Sequence, residues 1–408
     1  MKGQLPEGWK KVKLGDVLQK TNNIDPRKTP DDDFVYIDVS SVSRTTFSIE
    51  KTVCLKGKDA PSRARKKVET GDVLFATIRP TLQRIAIVLE AYNGEVCSTG
   101  YFVLRPKEEI ENHFLYYYLF TETFMSEMEK RQKGASYPAV NNGDIKDQTL
   151  SFPPLPEQKR IVAILDKAFE GINQAIANAE KNLANAREIF ESYLNDVFTR
   201  KGEGWEEVLF GDTCDFVRGP FGGSLKKSCF VEDGYAVYEQ QHAINDQFNQ
   251  IRYFVDQEKF DEMKRFEIRS GDLIMSCSGT MGKIAIAPQN VKQGIINQAL
   301  LKLTPKKNLS SGFLKYWMES NSFQEQIASH SKGVAIKNVA SVKVLKKINV
   351  PVPQPDVQHN VVIMLNNYLH KTQHLQSIYQ KKLNALQELK QSILQKAFSG
   401  NLDTNIIR

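Results

Sequence analysis

The chain has 408 residues, with 55 Lys and Arg against 48 Asp and Glu, a formal charge of +7, 41% hydrophobic and 25% charged residues. That length accommodates two or three domains with cores of their own, and the composition excludes a disordered chain, a collagen-like repeat and a disulfide-stapled mini-protein. So mild a basicity permits a nucleic-acid partner without requiring one.

In chain order, residues 1–152 are mixed and turn-rich. They hold short β-branched runs, Phe34-Val35-Tyr36-Ile37 and Ile85-Ala86-Ile87-Val88, and one helical stretch around 114–128. This pattern predicts a compact α+β domain. The proline break Phe152-Pro153-Pro154-Leu155-Pro156 suits a helix's first turn, and a long amphipathic helix is expected over 153–201. Its apolar positions step by three or four: Ile161, Leu165, Ala168, Ile172, Ala175 or Ile176, Ala179, Leu183, Ala186, Phe190, Tyr193 and Val197. A second α+β domain is expected over 202–350. A second long helix follows over 351–408, with the seam Val361, Leu365, Tyr368, Thr372, Leu375, Tyr379, Leu383, Leu386, Leu389, Ile393 and Ala397. Gly202 and Gly400 stand at the expected stops. At 1.5 Å per residue each helix is about 60 Å long, too long for neighbouring globular surface to cover its stripe. The two stripes are therefore expected to bury each other. An antiparallel coiled coil suits the connectivity, because a parallel one would send the second domain back along the whole rod.

The halves are copies. Gly8-Trp9 and Gly15-Asp16 recur as Gly204-Trp205 and Gly211-Asp212, and Gly71-Asp72-Val73-Leu74 as Gly271-Asp272-Leu273-Ile274. Arg84-Ile85-Ala86-Ile87 recurs as Lys283-Ile284-Ala285-Ile286, Phe114-Leu115 with Tyr117 as Phe313-Leu314 with Tyr316, and Gln158 with Ile161-Val162 as Gln358 with Val361-Val362. Five landmarks in one order at nearly constant offset define a repeat of about 200 residues.

Motifs for chemistry are sparse. Cys277-Ser278-Gly279-Thr280-Met281-Gly282-Lys283-Ile284 lacks the first glycine and the final hydroxyl of a phosphate loop. His370 and His374 lie four apart without a third ligand, and the other histidines form no triad. Glu262-Met263-Lys264 and Asp144-Ile145-Lys146 match only the tail of a nuclease motif, and neither a dinucleotide glycine fingerprint nor a base-flipping Asn-Pro-Pro-aromatic tetrapeptide occurs. No metal site is expected, and five cysteines without a C-x-x-C pair argue for a reducing compartment and against structural zinc. No run of 18 apolar residues and no apolar signal core occur, so a soluble, cytoplasmic protein off the membrane is expected.

Basic and amide side chains cluster instead in segments read as loops. Arg63, Arg65, Lys66 and Lys67 form a dense run, for which a solvated loop is an equal alternative. Arg79, Thr81, Gln83 and Arg84 follow the Gly71-Asp72 landmark, with Ser278, Thr280 and Lys283 as counterparts. Ser136, Tyr137, Asn141 and Asn142 are matched by Lys332, Lys337 and Asn338. Glycine admits a phosphate to the backbone, Lys and Arg neutralise it, and Arg, Asn and Gln can read base edges. These eighteen residues are the candidate DNA-binding set. Their segments differ between copies while the flanks agree, as two different reading tasks would require; free drift of surface loops is the alternative.

The proline–Glu157-Gln158-Lys159-Arg160-Ile161-Val162 segment, the Gly-Trp and Gly-Asp openings and the Gly71-Asp72 and Gly271-Asp272 turns together resemble specificity subunits of type I restriction–modification enzymes. The resemblance covers the whole chain. It implies two target-recognition domains (1–152 and 202–350), each reading half of a bipartite, asymmetric double-stranded DNA target. The two long helices (153–201 and 351–408) would be spacers and partner-docking elements, able to hold two readers at half-sites about 34 Å apart. Partners would be two methyltransferase subunits and two restriction/translocase subunits. The chain itself would have no cofactor and no catalysis, with S-adenosylmethionine, Mg²⁺ and ATP on the partners. The second copy departs from the signature, with Asp356-Val357-Gln358-His359 for Pro156-Glu157-Gln158-Lys159. Two other classes are weighed: a fused nuclease or methyltransferase, and a coiled-coil assembly protein without sequence-specific DNA binding.

Overall fold

The computed structural model describes residues 6–329 and 341–402. The chain divides into two compact units, Met1–Glu180 with Lys381–Arg408, and Lys181–Gln380.

The first unit holds strands β1 (Lys10–Lys13), β2 (Asp33–Ile37), β3 (Val53–Lys56), β4 (Ala64–Lys67), β5 (Val73–Ala76), β6 (Ile85–Ile87), β7 (Val96–Ser98), β8 (Tyr101–Leu104) and β9 (Thr149–Phe152). Helices α1 (Asn112–Tyr118), α2 (Glu122–Arg131) and α3 (Asn142–Lys146) precede the long α4 (Leu155–Arg200). The second unit repeats the plan with β10 (Glu206–Leu209), α5 (Phe210–Thr213), β11 (Cys214–Arg218), β12 (Tyr235–Tyr238), α6 (Gln240–Ile244), β13 (Phe254–Val255), α7 (Gln257–Glu262) and β14 (Glu267–Ile268). There follow β15 (Leu273–Ser276), β16 (Ile284–Ile286), β17 (Gly294–Ile296), β18 (Leu300–Pro305), α8 (Ser311–Glu319), α9 (Asn321–Ser329), α10 (Val342–Leu345), β19 (Asn349–Val352) and the long α11 (Pro355–Phe398).

Sheets match pair by pair. Antiparallel ribbons β1–β9 and β10–β19 close each unit just before its long helix. The sheets β3-β2-β7-β4 and β13-β12-β17-β14 each contain one parallel pair, β2–β7 or β12–β17. The fully buried strands β5 and β15 centre β6-β5-β8 and β11-β18-β15-β16.

The sequence landmarks are the fixings of this frame. Gly71 and Gly271 sit at φ 87° and 83°, a left-handed turn that glycine alone enters without strain. The carboxylate beside each is buried and satisfied. Asp72 takes two 2.8 Å bonds from Arg105, Asp272 accepts from the Thr304 hydroxyl at 2.5 Å, and each caps a backbone N–H, of Glu69 or Arg269, at 2.8 Å. Gly15 and Gly211 stand where a Cβ would meet the Cβ of Lys146 or Lys346 at 3.0 Å, so the opening turn packs directly on α3 or α10. Gln158 and Gln358 are buried amides. Gln158 accepts from Glu111 N–H (2.9 Å) and donates to the carbonyls of Glu109 (2.8 Å) and Pro153 (2.9 Å). Gln358 does the same with Ser310 N–H, Asn308 and Pro353, all at 2.8 Å. A second tie repeats as well: the Tyr117 hydroxyl donates to Asp166, and the Tyr316 hydroxyl to Asn366, both at 2.5 Å.

In the first unit the N-terminal part of α4 shares a core with the C-terminal end of α11, through Ile161, Leu165, Phe169 and Ile172 with Leu394 and Ala397. In the second unit the C-terminal part of α4, with Leu194 and Phe198, meets the N-terminal part of α11, with Val361 and Leu365; Tyr193 stacks on Tyr368 at 4.1 Å. This is antiparallel pairing. The α4 seam follows the predicted spacing, with Val162, Phe169, Leu194 and Phe198 added. The α11 seam needs correction: Leu375 and Leu389 are exposed, and so is Tyr368 apart from the face stacked on Tyr193. Lys390 packs inward instead of Leu389, its stem between Phe169 and Phe47 (ammonium 4.9 and 5.7 Å from the ring centres) and its Nζ donating to Asn173 at 3.2 Å. A long aliphatic stem can cover apolar surface while its amine finds an oxygen, and burial pushes that amine's pKa down.

Candidate nucleic-acid interface

Two of the predicted loops of the first unit, around 77–84 and 133–142, come together. Val140 N–H donates to Thr77 C=O at 3.0 Å, Arg79 N–H to Pro138 C=O at 2.6 Å, and Ile78 bridges Ala139. Arg79 therefore stands against Tyr137, its guanidinium 5.0 Å from the ring centre and one N–H reaching Ser136 C=O at 3.3 Å. Tyr137 is 71% exposed. An Arg on an aromatic face at the surface keeps donors free for a base edge or phosphate. Arg79 and Gln83 both adopt left-handed φ, 50° and 51°, on either side of the short helical turn Pro80–Leu82. Such strain in non-glycine residues is held only where the surroundings impose it. Thr81 is exposed on that turn, and Arg84 is half-buried, donating to the carbonyls of Ser40 (3.3 Å) and Val42.

Other predicted residues have different places. The 64–67 run is strand β4 rather than a loop, held by antiparallel pairing with β7, and only Ala64 of it is fully buried. Arg65 pairs with Asp25 at 3.2 Å, and Lys66 donates to Tyr101 C=O over the Phe102 ring, so both work inside the fold; Lys67 is half-buried and Arg63 exposed. Burial pushes the Lys66 pKa down. Asn141 caps α3: its Oδ1 accepts Asp144 N–H at 3.0 Å, and Asp144 answers by accepting Asn141 N–H at 2.9 Å. Ser136 and Asn142 are exposed beside it.

In the second unit, residues 277–283 leave the C-terminal end of β15 in a loop with Gly279 and Gly282 left-handed. A Cβ on Gly282 would meet Gln324 Oε1 at 2.8 Å, and Gln324 Nε2 donates to Gly282 C=O at 3.0 Å, which docks the loop on α9. Ser278 N–H donates to Gln240 Oε1 at 3.3 Å, while the Thr280 and Lys283 side chains are exposed. Lys332, Lys337 and Asn338 lie outside the described residues. The antiparallel register places the end of β11 at the same sheet edge, Arg218 opposite Leu301 and Ser276 opposite Leu300. The turn beyond Arg218 presents Phe221, 92% exposed. Phe221, Gln240, Arg44 and Lys51 escape sequence reasoning; only the run Gly219-Pro220-Phe221-Gly222-Gly223 offers a signal, as an aromatic in a turn with nothing to pack on.

The chemistry-bearing triplets serve the frame: Asp144 is the α3 cap just described, and Glu262 accepts from Lys259 at 2.7 Å. Among the described residues no group of three or more His, Cys, Asp or Glu is placed to hold a metal. No helix among the described residues is long and apolar enough to cross a membrane. Burial pushes the Cys97 and Cys214 thiols up to about 12 and the Cys277 thiol up to about 11.

The family model described as the type I restriction modification DNA specificity domain matches residues 6–182 and again 202–385. The chain belongs to that family. The type I restriction enzyme EcoBI specificity subunit of Escherichia coli is 24% identical over 72% of this chain and 67% of its own length. The putative MjaX specificity subunit of Methanocaldococcus jannaschii is 23% identical over 98% of this chain and 95% of its own. A chain solved in work on complex assembly and conformational transition of the type I R-M system superposes with a TM-score of 0.87 at 29% identity, covering 98% of this chain and 100% of that one. The HsdS subunit from Thermoanaerobacter tengcongensis follows with a TM-score of 0.63, 29% identity and coverage of 98% and 99%. The two matched spans coincide with the two copies of the repeat, so this type I restriction–modification specificity subunit carries two target-recognition domains.

Proposed function

We propose that this specificity subunit reads a bipartite, asymmetric double-stranded DNA target, one recognition domain to each half, with α4 and α11 setting the gap. It delivers that choice to two methyltransferase subunits and two restriction/translocase subunits. The chain has no catalysis of its own; S-adenosylmethionine, Mg²⁺ and ATP belong to the partners, and the assembly works in the cytoplasm. The supporting observation is the pairing of an identical frame with dissimilar loops: Gln158 and Gln358 make the same bonds, while residues 277–283 hold no arginine where the first copy sets Arg79 on Tyr137. A frame held constant under changed surface groups is what reading two different half-sites requires. Family membership and the likeness to a chain from a type I complex support the partners. The engagement of Asp144 and Glu262 in capping and ion pairing supports a reader without chemistry.

The DNA candidates are Arg63, Lys67, Arg79, Thr81, Gln83, Arg84, Ser136, Tyr137 and Asn142 in the first unit, and Ser278, Thr280 and Lys283 in the second. The test is binding of the assembled methyltransferase–specificity complex to a duplex library across a salt series. Selection of two short blocks at one fixed separation, with affinity falling steeply with salt, is expected. An assembled complex without sequence preference would leave the coiled-coil assembly reading in its place.

A further inference from the structure

Positive charge without a partner collects beside the first reading loop. Residues 42–49 form a short hairpin, closed by the Val42–Ile49 bridge and by Ser43 N–H donating to Ser48 C=O at 3.0 Å. Ser43 Oγ accepts the N–H groups of Thr45 and Thr46, each at 3.3 Å, which shapes the turn. Phe47 anchors it: its ring meets Phe120 edge-on at 4.8 Å. The hairpin so held borders an open cleft of about 600 Å³ lined by Ser43, Arg44, Thr45, Lys51, Thr81 and Arg84.

The cations of that cleft form no ion pair. Ion pairs in this unit engage Lys13, Arg27, Lys56, Arg65, Arg105, His113, Lys130, Arg131 and Arg160, and among the described residues none includes Arg44, Lys51 or Arg84. The one acid on the rim, Glu50, accepts from the Thr46 hydroxyl and from Ser48 Oγ at 3.4 Å, within its own hairpin. Arg84 is held at the wall by the Ser40 and Val42 carbonyls. Three cations and several hydroxyl donors around one concavity are the chemistry that takes a phosphate's oxygens, and preorganised donors take them without reordering. The second unit differs: Lys283 stands in the place of Arg84 and acts on the Glu319 carboxyl, and the nearby acid Asp246 pairs with Lys315 at 2.5 Å.

We propose that the cleft is a phosphate-binding site that seats a DNA-backbone phosphodiester next to the half-site read by Arg79 and Tyr137. Thr81 and Arg84 share Arg79's loop, so a phosphate held there adds affinity beside the residue that meets the bases without itself choosing among them. The inference rests on the DNA-reading function above.

The test uses the full complex with methyltransferase subunits and a duplex carrying its mapped target, titrated over a salt series. The double variant Arg44→Ala/Lys51→Ala is expected to bind about tenfold more weakly or worse, and to lower the slope of log affinity on log salt by about 1–2. Its ranking of single-base target variants stays as in the wild type. Arg44→Lys/Lys51→Arg keeps the charge and restores most of the slope. Both residues are exposed, and an unchanged melting curve confirms that the double variant folds. Unchanged affinity and slope, with specific wild-type binding, overturn the cleft assignment alone. Wild-type complex without target preference overturns the reading function. Inorganic phosphate and ATP are the competing arms: either one binding the wild type but not the double variant, with DNA affinity equal in both, would make this a free-anion site and overturn the backbone assignment.

Discussion

Gln158 and Gln358 stand 200 residues apart and hold their units together by the same three bonds, whereas Arg84 and Lys283, equally matched in position, live in different surroundings. The first belongs to a cationic cleft next to an Arg–Tyr pair. The second projects from a glycine-bearing loop near the Glu319 carboxyl, at a sheet edge that also carries the bare ring of Phe221. Buried polar atoms leave almost no freedom, because each lost partner costs about 1–3 kcal/mol. Exposed loops carry no such penalty, and recognition changes there while the frame persists.

The frame gives the largest expected effect. Gln158→Leu strands a buried N–H and two carbonyls, and is expected to lower stability by about 2–4 kcal/mol, with Gln358→Leu close to it. Denaturant unfolding of the full chain measures both; losses differing by more than half would break the equivalence of the two units. Next comes the first reader. Arg79→Ala is expected to weaken binding by about 1–3 kcal/mol and to relax preference at one half-site only, as binding to a library of half-site variants would show. Relaxation at both halves would contradict a division of labour. Phe221→Ala should cost about 1 kcal/mol, confined to the other half-site, since a ring this exposed can lie against a thymine methyl or wedge at a base step of duplex DNA.

The smallest effect is one of pH. Burial is the main cause that pushes the Glu319 carboxyl up to about 7; Lys315 opposes it and Asp246 adds to it. The folded unit thus keeps a proton that the unfolded chain releases near its ordinary 4.5. Stability from this group falls as pH rises from about 4.5 to 7 and is level beyond. Glu319→Gln should flatten that part of a melting-temperature profile, and an unchanged profile would contradict the assignment.

Much of this was legible in the residues. Repeated glycines, the Gln of each helix start and the three-four spacing of α4 are imposed by backbone and core, and such constraints recur in sequence. Lys66 and Asn141 have structural partners that the sequence could not show, because a cation and an amide look alike in sequence whether they face water, a carbonyl or a helix end. Lys390 illustrates the converse, since a seam written in apolar letters passes through a lysine stem at that turn and leaves Leu389 outside. Arg44 and Lys51 could not be seen as a site at all, because the hairpin that joins them to Arg84 exists only after folding.

In the proposed function each unit reads its half of one target independently of the other. Mapping methylated bases across the host genome, with the wild-type chain and with Arg79→Ala, tests it most directly. Two short defined blocks separated by a constant gap, of which only one loosens in the variant, is the predicted result. A single contiguous motif, or two blocks that loosen together, would contradict it.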